Sequence, residues 1–161
     1  MTIVSGRWID FLIMNRKKFN KVIDFAIERE KSAVDFYLNL KEVVFFEEKQ
    51  ELLDTLVEME KVHIEVLESI RLKTMKNVLL PQLESLDVEE YATEEIVPSA
   101  DLSYQDILRV AIQREEKSIQ FYNKLASECT DEELIQLFLR LAAEEVVHKV
   151  HFERLFDERI S

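Results

Sequence analysis

Shifting this 161-residue chain by 85 positions lays its second half on its first without a gap. Ala26-Ile27-Glu28-Arg29-Glu30, followed by Phe36-Tyr37, recurs as Ala111-Ile112-Gln113-Arg114-Glu115, followed by Phe121-Tyr122. Further on, Glu60-x-x-His63 recurs as Glu145-x-x-His148. Such a duplication constrains the fold more than any single motif. It means that one helical hairpin is used twice, and that each copy places the same residue types at equivalent points.

Helices are expected because little else fits. One Gly and two Pro leave scant material for turns. Apolar residues follow helical spacing from Lys21 to Val44 (Ile23, Ala26/Ile27, Ala33/Val34, Tyr37, Leu40), and again through Leu52/Leu53, Leu56, Met59, Val66/Leu67 and Ile70. A third stripe reads Leu108, Ala111/Ile112, Ile119, Tyr122 and Leu125; a fourth reads Leu134, Leu137/Phe138, Leu141, Phe152 and Leu155. Ser103 with Asp106, and Thr130 with Glu133, have capping-box spacing. The repeat sets the first hairpin turn near Val44 and Phe45, although no Gly or Pro marks it. Residues 77–102 break the helical pattern, contain Pro81 and Pro98, and are long enough to run the length of a bundle.

A net charge of −12 argues against a nucleic-acid partner, since phosphate binders carry basic patches. No segment approaches the roughly 20 apolar residues needed to span a bilayer. Cys129 is the sole cysteine, so no intrachain disulfide is available, which fits a cytoplasmic location. Residues 1–16 are read as an N-terminal arm, disordered or docked on a partner through Trp8 and Phe11. Met14 offers a second start, and Met1 to Ile13 lacks the features of a secretory signal. Residues 17–161 form one domain.

Six polar residues interrupt the apolar stripes. Glu30 lies between Ala26/Ile27 and Ala33/Val34, and Glu115 between Ala111/Ile112 and Ile119. Glu60 and His63 fall between Leu56 and Leu67; Glu145 and His148 fall between Leu141 and Phe152. Carboxylates are almost never buried without a partner, and four at one level would repel strongly. Two divalent ions would balance them, with neutral imidazoles adding no charge. Residues three apart share a helix face, so each Glu-x-x-His pair can converge on neighbouring ions. Mixed carboxylate and imidazole donors suit iron or manganese.

This constellation resembles the ferritin-like di-iron carboxylate superfamily, which includes rubrerythrins and bacterioferritins, over Phe19 to Ile160. The resemblance implies an all-α, ferritin-like four-helix bundle made of two duplicated hairpins joined by a long crossover. It also implies two iron ions, with Glu30 and Glu115 as terminal ligands, Glu60 and Glu145 as bridges, and His63 and His148 each completing one shell. Two features depart from rubrerythrins. Ser118 stands where they usually carry a further Glu, and the chain has no four-cysteine rubredoxin domain. The six-residue pattern is more similar to a bacterioferritin centre, though nothing here implies a cage or haem.

The function expected on this basis is reduction of peroxide or O2, with electrons from a rubredoxin-like donor. The alternatives are a ferroxidase that stores iron and a non-catalytic, metal-stabilised bundle. A homodimer is expected by analogy. Tyr37 and Tyr122, seven positions after Glu30 and Glu115, are candidates for bonding ligand carboxylates. Arg29 and Arg114 are expected to pair with acids at helix edges, Met59 to fill core space beside the site, and His151, three after His148, to be solvated, with an extra ligand as the alternative.

Overall fold

The computed structural model describes residues 6–73, 87–92 and 96–159. Among these the chain is an all-α four-helix bundle: α1 (Gly6–Val43), α2 (Glu47–Lys73), α3 (Tyr104–Glu128) and α4 (Glu132–Glu158). A short 3-10 turn, Val88–Tyr91, packs near α3. The backbone of α1 begins at Gly6, so residues 6–16, expected as an arm, belong to a helix. No Pro or further Gly interrupts the run from Gly6 to Val43, so nothing in the sequence stops the helix earlier. The side chains of Trp8 and Phe11, and Pro81 in the expected crossover, lie outside the described residues.

Each hairpin closes without a glycine. Residues 44–46 join α1 to α2, where the repeat sets the turn. Gln50 explains how the turn holds: its amide Nε2 donates to Val44 O at 2.8 Å, satisfying a carbonyl that a Gly-based motif would otherwise cover. In the second hairpin Ser103 and Asp106 form the expected capping box, with both bonds at 3.0 Å. The cap of α4 is Asp131 rather than Thr130. Its carboxylate accepts from Leu134 N at 3.0 Å, and its charge is better placed than a hydroxyl against the helix N-terminus.

The core falls into two clusters, each fed by all four helices. One includes Phe19, Ile23, Leu67, Phe121, Phe138 and Leu141. The other includes Leu40, Leu53, Leu56, Ile107, Leu108 and Phe152. Along α1 and α4 the chain passes from the first cluster to the second; along α2 and α3 it passes from the second to the first. The repeat therefore maps one cluster onto the other, as a two-fold axis across the middle of the bundle would. It also follows that α2 ends and α3 begins at opposite ends of the bundle.

Candidate metal centre

The layer between the two clusters is polar and largely buried. Glu30 from α1, Glu60 and His63 from α2, Glu115 from α3 and Glu145 from α4 are each less than 5% exposed. His148, also from α4, is 18% exposed at its side chain. All six residues singled out from the sequence thus meet in one layer. Helical periodicity brings them there, because each lies on the stripe that buries its neighbours.

Glu145 sits at the middle. Its Oε1 lies 3.2 Å from Nδ1 of His63, and its Oε2 lies 3.2 Å from Nδ1 of His148. The same two ring nitrogens lie 3.9 Å from Glu60 Oε2 and 4.0 Å from Glu115 Oε2, respectively. The two imidazoles stack at 5.4 Å with 20° between their planes. Donor atoms draw together into two compact groups, one of Glu30, Glu60 and His63 and one of His63, Glu145 and His148.

Does this donor set suit metal ions? Ligands held about 2.1 Å from a metal lie about 3–4 Å from one another, the range of the separations just given. Nδ1 of His63 and Oε1 of Glu145 are buried, and despite their proximity neither has an aligned hydrogen bond among the described residues. Two buried polar atoms 3.2 Å apart, with no aligned hydrogen bond among the described residues, are groups whose charge and polarity a shared cation would satisfy. Oxygen and imidazole donors without thiolate fit iron or manganese. The residues fit a pair of divalent ions.

Without ions, protons have to carry the positive charge. Burial, then the charges of Glu30 and Glu145, raises the Glu60 carboxyl well above its ordinary range. Burial, then its contact with Glu145, does the same to Glu115. Burial alone would lower His63, but the adjacent Glu145, with Glu30 and Glu144 behind it, outweighs that and raises the imidazole to about 9. Glu145 itself resists burial through contacts with Glu115, His148 and His63, and is held well below the usual carboxylate range.

The residues around the layer divide the two expected tyrosines. Tyr122 donates its hydroxyl to Glu30 Oε1 at 2.6 Å. The Tyr37 hydroxyl is buried with no hydrogen-bond partner among the described residues. Burial first, and then neighbouring carboxylates, push both phenols well above their ordinary value, with Glu60 the strongest charge acting on Tyr37 and Glu30 on Tyr122.

Among the described residues neither arginine pairs with an acid at a helix edge. Arg29 reaches across to α3, donating to Ser118 Oγ at 3.1 Å and lying 5.5 Å over the Phe121 ring. Arg114, its repeat counterpart, is buried and lies 5.3 Å over Phe36, the counterpart of Phe121. An aromatic face desolvates a guanidinium at lower cost than an apolar wall does, which explains why the interior accepts them. Ser118 is therefore engaged by Arg29. Met59 packs against the second core cluster, as expected. His151 lies outside both donor groups and contacts Arg154 at 3.3 Å.

One neighbour was not singled out from the sequence. Glu144 Oε2 lies 3.6 Å from Nε2 of His63, while its Oε1 accepts from Arg140 Nε at 3.2 Å. It thus faces the ring nitrogen that points away from Glu145, the position from which a carboxylate orients a ligating imidazole. Its counterpart is Met59, so His148 has no equivalent support from the repeat. The available signal was faint, one more Glu on an acidic helix.

No protein-family model matches the chain, and no curated protein matches it. Among solved structures it is similar to a hypothetical protein from Pyrococcus furiosus, at 27% identity and a TM-score of 0.63, covering 84% of this chain and 86% of that one. That likeness extends over most of the four-helix bundle. No helix among the described residues is long and apolar enough to cross a membrane.

Proposed function

We propose that this chain is a di-metal carboxylate oxidoreductase that holds two iron ions and reduces peroxide or O2. The observation that carries the reading is the placement of Glu145, with one oxygen towards each imidazole in a layer of buried carboxylates. Glu30, Glu60 and His63 would hold one ion, Glu115 and His148 the other, with Glu145 shared. When bound, the metal pair would supply electrons and Lewis acidity. An external donor, such as a small rubredoxin-like protein, would restore the electrons.

The chain's own contributions follow from its physical chemistry. The two apolar clusters bury the layer from either end, which strengthens the charge interactions within it. Tyr122 fixes the Glu30 carboxylate. Glu144 and Arg140 steady the His63 ring from its outer side. Protons held by Glu60, Glu115 and His63 would leave as cations enter, so uptake is coupled to proton release. A cleft of about 430 Å3 beside α3 is lined by Ala92, Ile96, Val110 and Arg114, and by none of the six donors. The small size of peroxide and O2 suits a layer this closely filled.

The test is oxidation of anaerobically ferrous-loaded protein by peroxide and by O2. Two irons per chain, oxidised much faster by peroxide than free ferrous ion is, would support the reading. Continuing iron uptake with O2 would turn it towards storage. Oxidation no faster than that of free iron would leave a metal-stabilised bundle without turnover. Metal content of protein purified without added metal separates iron from manganese.

A further inference from the structure

The outward face of α4 is apolar where solvent exposure predicts charge. Leu139, Val146, Val147 and Val150 are 42%, 44%, 67% and 57% exposed, and Ala143 between them is exposed as well. Leu139, Ala143, Val146 and Val150 recur at spacings of four, three and four, the seam spacing of two packed helices. Scattered exposed valines need no explanation, but a continuous seam over three helical turns does.

The duplication supplies an internal control. The α2 residues equivalent to that seam are Asp54, Glu58, Lys61 and Glu65, all exposed. Lys61 pairs with Glu58 at 2.8 Å, and Lys41 pairs with Asp54. The same surface of the same structural unit is therefore charged in one copy and apolar in the other. Only Val62, the counterpart of Val147, remains apolar there.

We propose that this face of α4 is the interface with a second copy of the chain, the two α4 helices packing antiparallel about a two-fold axis. Charge selects the occupant. Each copy carries a net charge of −12, so most pairings would press carboxylates together. The outward positions Gln136, Leu139, Arg140, Ala143, Val146, Val147 and Val150 contain no acid. Antiparallel pairing sets Leu139 of one copy against Val150 of the other, and Ala143 against Val146. The next seam residue, Glu153, then falls beside Gln136 and Arg140 of the other copy, two donors to its carboxylate. The face is complementary to itself, as a two-fold interface must be.

A seam of five apolar side chains is small beside specific, stable interfaces, which bury about 1,200–2,000 Å2 in total. The dimer should therefore dissociate on dilution. Because the two copies repel overall, salt should tighten it by screening, the reverse of an association held by ion pairs.

Sedimentation velocity of the full chain from about 1 to 200 μM, at low and high salt, tests the proposal. The expected result is a monomer–dimer equilibrium that shifts towards dimer with salt. Val147→Glu with Val150→Glu should give monomer throughout, with helical circular dichroism unchanged. Val62→Glu, on the charged α2 face, should leave the equilibrium as it is. If the double glutamate variant folds poorly, Val147→Ser with Val150→Ser should still weaken the dimer at least tenfold. A wild-type monomer at every concentration and salt, a dimer indifferent to the α4 substitutions, or one broken by Val62→Glu would each overturn it.

Discussion

Tyr122 on α3 donates its phenolic hydrogen to Glu30 on α1 at 2.6 Å, whereas Tyr37, its repeat counterpart, is equally buried and has no hydrogen-bond partner among the described residues. Removing the two hydroxyls should therefore have unequal effects. Tyr122→Phe leaves a buried carboxylate short of a donor and should destabilise the apo protein by about 1–3 kcal/mol. Tyr37→Phe removes an unsatisfied hydroxyl and should be neutral or slightly stabilising. Urea denaturation of both variants checks this, and equal losses would contradict it.

Glu145 contacts both imidazoles, while Glu60 approaches only His63 among them. Glu145→Ala, which removes the carboxylate shared by both ions, and Glu60→Ala, which removes a donor from the Glu30, Glu60 and His63 group, should each abolish binding of two metals per chain. His148→Ala should leave the Glu30, Glu60 and His63 group intact and retain about one. Metal analysis after equilibrium dialysis reads all three. Unchanged content in both glutamate variants would remove the site assignment.

The pH dependence of the apo protein has a fixed sign. Burial raises Glu60 and Glu115 above the ordinary 4.5, so the unfolded chain releases protons that the fold retains, and stability falls as pH rises past 4.5. His63, raised from 6.5 to about 9, contributes stability that is complete below 6.5 and lost as pH climbs to about 9. Glu145, held low, contributes above 4.5 and loses that contribution only in stronger acid. The apo Tm should therefore decline from about pH 5 to about pH 9. The rise in Tm on adding metal should grow over the same span, because ions compete with protons for these donors. Melting curves at three pH values, with and without Mn(II), decide it; an apo Tm that rises with pH would contradict the assignment.

Arg29 over Phe121 and Arg114 over Phe36 make the same contact twice, once in each direction between α1 and α3. A double-mutant cycle of Arg114→Met with Phe36→Leu should give a coupling of about 0.5–2 kcal/mol. A coupling indistinguishable from zero would mean that the ring merely fills space beside the guanidinium.

The duplication made the four helices and the layer of six polar residues legible, because apolar periodicity identifies which face is buried and the repeat assigns equivalent depths. What it could not convey was detail set between helices. Arg29 and Arg114 looked like edge residues because the aromatic rings that receive them belong to the other hairpin. Glu144 was indistinguishable from solvated acids until α2 was placed beside it. Gln50 closes the first turn through a side-chain bond that leaves no Gly or Pro signal, and Asp131 took the cap from Thr130 one position away. The start of α1 at Gly6 precedes the stripe from which the helix was read, because backbone continuity there does not depend on apolar spacing.

The most direct test of the centre is an anaerobic titration of apo protein with Fe(II), followed by metal content per chain in wild type and Glu145→Ala. A two-metal site requires saturation at two ions per chain in the wild type and its loss in the variant. Saturation below one ion, or the same content in both proteins, would show that the buried carboxylates serve some other purpose.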